Sequence, residues 1–273
     1  MPEQQKRKVV FRDSHSEEPT IKRLKVRDIP EVSFFSDIGH HLTMVSAYDT
    51  HFHLDRMSKL IFGDSSLTVK SVVTEQLERP PLIPVNMEGG VLIYCDPETY
   101  SINMPIDTKW KVAVGMHPKT VAKCSEAEVK KFIDLIKNTR VSAVGEVGLD
   151  ISLRDGTRKV QEEFLIQVLH HVKPRIPLIL YIRSTRPVKY SRGLYLRDLD
   201  ILRVHCHPTQ NIILHCFTGE ESVRSELSNQ FPNVFFSFSS ILKQYYQEQL
   251  KAVKNIAVTR LLHHTCYQAR RCD

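Results

Sequence analysis

From residue 44 onward the chain alternates short apolar runs with amphipathic stretches, and few folds accept that pattern. The runs are MVSAYDTH (44–51), VLIYC (91–95), KVAVG (111–115), VSAVGEV (141–147), PLILYI (177–182), NIILHC (211–216) and VFFSFS (234–239). They are continuous and rich in β-branched residues, as parallel strands covered on both faces should be. Ser125 followed by Glu128 reads as a capping box opening the helix SEAEVKKFIDLIKN. In RKVQEEFLIQVLHHV, the residues Val160, Phe164, Leu165, Val168, Leu169 and Val172 fall on one helical stripe. EESVRSELSN and LKQYYQEQLKAVKN supply further helices. With a weaker eighth run at AVTRLL (257–262), the pattern predicts an α/β fold, a TIM-type (β/α)8 barrel. An open doubly wound sheet competes, but GLDISLRDG and GMHP match no dinucleotide or P-loop fingerprint. A chain of 273 residues suits one such barrel, which takes about 250 residues.

The first 43 residues differ. They are polar and carry two basic clusters, Lys6-Arg7-Lys8 and Lys22, Arg23, Lys25, Arg27, interrupted by Asp13, Glu17 and Glu18. A solvated flexible tail and a nuclear-import or nucleic-acid-contacting tail are both open readings. The domain division is therefore a basic tail over 1–43 and a barrel over 44–273. The net charge of +7 favours polyanions kinetically without specifying one. No apolar run approaches the roughly 20 residues that span a bilayer, and MPEQQKRKVVFRD lacks a secretory h-region. The expectation is a soluble intracellular protein of cytoplasm or nucleus, with no membrane partner. Six cysteines without a CxxC pair argue against a disulfide scaffold or zinc ribbon. Cys95 and Cys216, inside apolar runs, read as buried small hydrophobes.

Barrel chemistry gathers at the C-terminal ends of strands. There the chain places His51 and His53, His117, Glu146 and Asp150, Arg183 and His215. Strand side chains repeat every two residues, so His51 and His53 point to one side and can grip one cation. A carboxylate such as Glu146 can bridge two metals while histidines hold each from outside. His205-Cys206-His207 has the same spacing but lacks that strand-end context.

DTHFHLD, GMHP, AVGEVGLD, PLILYIRS and ILHCFTG, in this order, resemble the TatD family of metal-dependent deoxyribonucleases, and CDPETY resembles its longer eukaryotic members. The similarity runs from residue 45 to about 262. It implies a metallo-dependent hydrolase barrel that cleaves nucleic-acid phosphodiester bonds, with 3′-5′ exonuclease action on DNA and RNA as a further substrate. Divalent metal ions are implied, Mg2+ first and Mn2+ or Zn2+ as alternatives. By motif, His51 and His53 hold one metal, Glu146 bridges as the catalytic carboxylate, and His215 holds the second. Arg183, His117 and Asp150 fall where substrate phosphate is contacted. For His117 and Asp150, hydrogen bonds that fix loops are an equal alternative.

Two positions depart from the family pattern. Strand 5 has Tyr181 where the motif reads His-x-Arg, so the second of the two metal sites is weakened, a neutral phenol being a poor ligand. The strand-8 Asp has no counterpart, His264-Thr265-Cys266 falling on that motif and Asp273 lying beyond it. The chain also stops where an eighth helix is expected. A barrel lacking that helix would expose an edge suited to self-association. A relative that binds nucleic acid without cleaving it is the alternative to an enzyme, and a small-molecule amidohydrolase is a third reading.

Overall fold

A computed structural model describes residues 45–63, 69, 85–100, 109–152, 156–184 and 191–263. The basic tail, the His264–Cys266 register, Asp273 and the place of the last helix lie outside the described residues. Eight strands form one parallel sheet: β1 Val45–Phe52, β2 Val85–Tyr94, β3 Trp110–Val114, β4 Val141–Asp150, β5 Leu178–Arg183, β6 Ile212–His215, β7 Val234–Phe238 and β8 Leu261–His263. They are ordered β1 to β8, and β8 comes back against β1, so the sheet is a nearly closed TIM barrel.

Around it run α1 Leu54–Phe62, α2 Pro118–Val121, α3 Glu126–Leu135, α4 Arg158–Leu169, α5 Arg192–His205, α6 Glu221–Gln230 and α7 Gln247–Lys254. The predicted capping box is present: Ser125 Oγ accepts from the Glu128 N–H, and Glu128 accepts from the Ser125 N–H at 2.7 Å. Two apolar layers form. Strand and helix residues such as Leu149, Phe164, Leu180 and Leu202 make the outer one. Ile93, Cys95, Ala113, Ala143 and Ile179 make a second from the strands and the β2 end alone, which puts it inside the barrel.

Several expectations are corrected. Val160 is 44% exposed, and Gln161 is buried in its place. The Gln161 amide accepts from the Asp150 N–H at 2.7 Å and donates to its carbonyl at 2.9 Å, pinning the end of β4 and turning Val160 outward. The eighth run yields a 3-10 turn at Val258–Arg260 before a three-residue strand. LKQYYQEQLKAVKN divides into a 3-10 turn at Ser240–Gln244 and α7, because Tyr245 is extended and its hydroxyl donates to the Phe217 carbonyl. Helix α5 was not predicted, its apolar stripe being broken by a buried Asp198.

Candidate metal centre

Four side chains meet at the C-terminal mouth. His51 lies near the end of β1, His53 just beyond it, Glu146 within β4, and His215 ends β6. Glu146 Oε1 lies 3.1 Å from His51 Nε2 and 3.1 Å from His215 Nε2. His53 Nε2 is 3.1 Å from His51 Nε2 and 3.9 Å from Glu146 Oε2. The ligand atoms of His51, Glu146 and His215 all fall within 4.8 Å of one another. The His51 and His215 rings stack with centroids 4.0 Å apart.

Backbone irregularities aim these groups. Between β4 and β5 the register advances three residues on β4, Val144 to Val147, against two on β5, so a bulge carries Glu146 inward. Gly145, at φ 146°, is required there: a Cβ would stand 2.4 Å from the Ile179 carbonyl oxygen. A second shift, between Asp49 and Phe52, brackets His51. The His51 N–H is held by Asp49 Oδ1 at 2.9 Å.

The donor set fits a divalent cation. His53 Nδ1 donates to the Ile93 carbonyl at 3.2 Å, which leaves the Nε2 lone pair facing the cluster. Burial lowers the pKa of His51 and of His53, so both imidazoles are neutral and able to ligate at pH 7. Burial alone would raise Glu146, but His215 and His51 against its oxygens hold it well below the carboxylate range. The cluster thus offers imidazole nitrogens around one carboxylate, a set that fits a divalent cation.

The other predicted residues surround this cluster. Arg183 donates to the Tyr181 hydroxyl at 3.1 Å. Burial pushes that phenol up, so it stays neutral, and its ring sits 4.4 Å from His117 and 5.8 Å from His215 between centroids. His117 accepts from the Lys119 N–H at 3.2 Å, and burial lowers its pKa. Asp150 accepts from the Ser152 N–H at 2.8 Å and lies 3.6 Å from Lys119 Nζ. These are the loop-fixing contacts considered for both residues. His205 lies at the end of α5, against His170 at 3.1 Å and on a helix rather than a strand end.

Sequence reasoning missed the two thiols. Cys95 contacts Glu146 through both Oε2 and the backbone N–H, so it is buried but not merely apolar. Cys216 is half-buried, with φ 48° and Sγ 3.3 Å from His215 Nε2. Its place directly after a candidate ligand was the available signal.

A family model described as TatD related DNase matches residues 48–269. The chain belongs to the TatD-related DNase family. The human relative named 3′-5′ RNA nuclease TATDN2 is 26% identical over 226 residues, 80% of this chain and 28% of that protein. The chain therefore spans just over a quarter of that relative's length. The Bacillus subtilis relative described as the uncharacterized metal-dependent hydrolase YabD is 25% identical, covering 80% of this chain and 78% of its own. Among solved structures, the Escherichia coli TatD homolog YJJV superposes with a TM-score of 0.58 at 19% identity, covering 80% of this chain and 78% of that one. An uncharacterized amidohydrolase from Saccharomyces cerevisiae gives 0.57 at 20% identity, with 81% and 75% covered. These two likenesses concern the fold. As TatD relatives are metal-dependent hydrolases and nucleases, the His–Glu–His cluster fits a divalent metal.

Proposed function

We propose that this chain is a divalent-metal-dependent phosphodiesterase that shortens single-stranded nucleic acid, DNA or RNA, from its 3′ end. The observation that carries the reading is the convergence of His51, Glu146 and His215, with His53 alongside, at the mouth of a TatD barrel. A divalent cation held there supplies Lewis-acid stabilisation for charge that builds on the phosphoryl oxygens. His51 and His53 would hold one cation from β1, His215 would hold a second, more weakly bound one from β6, and Glu146 lies between the two sides as the catalytic carboxylate. Arg183 orients a phosphate by charge-assisted hydrogen bonds, and His117 and Asp150 shape the rim beside it. The hydrolase unit is residues 44–273, with 1–43 as a basic tail, and the work is done in cytoplasm or nucleus. No helix of the described residues is long and apolar enough to cross a membrane. The curated names of the relatives support the substrate class, the Salmonella typhimurium TatD being described as a 3′-5′ ssDNA/RNA exonuclease.

A 5′-labelled single-stranded oligonucleotide, as DNA and as RNA, tests this in Mg2+ and in Mn2+. Progressive shortening that disappears with chelator and in His51→Ala is the expected result. An oligonucleotide left intact by folded, metal-loaded protein overturns the enzyme reading and leaves a nuclease-derived binding protein.

A further inference from the structure

The CDPETY segment follows β2 and contributes no ligand to the cluster, yet its side chains reach Glu146 on β4, the first turn of α1 beside His53, and Gly115 just after β3. Cys95 is fully buried inside the barrel. Its Sγ accepts from the Glu146 N–H at 3.2 Å, and its thiol hydrogen points to Glu146 Oε2 at 3.7 Å. The bulge at Glu146 takes that N–H out of register with β5, and the thiol meets it. Asp96 forms a two-pronged pair with Arg56, at 2.9 Å to Nε and 2.8 Å to Nη2, three residues into α1 from His53. The Thr99 hydroxyl lies 2.7 Å from Asp55 Oδ2 on the same turn. Tyr100 donates to the carbonyl of Gly115, a residue whose added Cβ would stand 2.2 Å from the Glu146 nitrogen.

We propose that residues 95–100 form a strap that positions the metal cluster, with Cys95 as the positioning residue that orients the Glu146 carboxylate. The proposal rests on the metal reading of the cluster. Because Cys95 grips Oε2, Oε1 is turned toward His51 and His215. Asp96 and Thr99 hold the first turn of α1, and so the direction in which His53 enters the site. A group that orients a ligand in this way is worth about 10- to 100-fold in metal affinity.

Calorimetric titration of the full chain with Mn2+ separates this from a packing role. Cys95→Val fills the volume without donating, and it is expected to bind Mn2+ at least about 10-fold more weakly than wild type while keeping its fold by circular dichroism. Cys95→Ser restores the donor and is expected to recover most of that loss. Wild-type affinity in a folded Cys95→Val overturns the proposal. Should both Cys95 variants fail to fold, Asp96→Asn decides: weaker Mn2+ binding supports the strap, and unchanged binding overturns it. If wild type binds no Mn2+, or His51→Ala binds it equally well, the metal reading itself falls and the strap with it. Strong wild-type binding lost in His51→Ala but intact in the strap variants removes the strap alone.

Discussion

Asp198 is the residue whose side chain sits least comfortably in this fold. It is wholly buried on α5, and neither carboxylate oxygen has a hydrogen-bond partner among the described residues. Burial, with the charge of Glu162 adding to it, pushes its pKa up to about 7. In the unfolded chain the same group titrates near 3.9. The folded state therefore binds the proton more tightly, so the contribution of this group to stability is greatest below about pH 4 and is lost as pH rises through about 7. A displacement of about three pKa units is worth about 4 kcal/mol. Asp198→Asn, which cannot ionise, is expected to be more stable than wild type at pH 8 by a few kcal/mol, with the advantage shrinking by pH 5. Urea unfolding at both pH values reads this directly, and a difference independent of pH would sink it. The site residues were more legible than this one. His51, His53, Glu146 and His215 were nameable because a parallel barrel puts strand ends at one mouth. Cys95 was read correctly as a buried small side chain, but its contact with the Glu146 carboxylate was not legible, because its neighbours in sequence are apolar.

At the scale of elements, the strands were legible to within a few residues at most ends because both faces are buried and the runs are continuous. β2 is the exception, extending back to Val85, well before the apolar run that marked it. Helix α3 was legible because its start signal is local: Ser125 and Glu128 satisfy each other three residues apart. Removing that exchange with Ser125→Ala is expected to cost about 1 kcal/mol, as a lower thermal midpoint with no change in metal binding. The turn between Ser240 and Gln244 could not be read in the same way. Its break depends on Tyr245 reaching the Phe217 carbonyl, 28 residues away in sequence. The bulge at Glu146 is intermediate: Gly145 marks a special backbone position in the sequence, but only the pairing with β5 shows which way it turns the next side chain.

For the whole molecule, the metal cluster ties β1, β4 and β6 together, so ligand binding and stability are linked. Mn2+ at about 100 times its dissociation constant adds about 2.7 kcal/mol to a protein that binds it only when folded. For a chain of this size that corresponds to a rise of about 5–10 °C in thermal midpoint. The rise is expected to be reversed by chelator and absent in Glu146→Gln, by scanning fluorimetry. An equal rise in that variant would place the cation elsewhere. By itself, the sequence determined the barrel, the order of its strands and the membership of the mouth, because hydrophobic periodicity and i, i+2 spacing are local and survive without a partner. The tertiary structure alone decided how those groups face one another: which Glu146 oxygen meets which histidine, and which thiol and which aspartate hold them in place. Such contacts join residues about 40 to 100 positions apart, and only the closing of the sheet into a barrel brings them within a few ångströms.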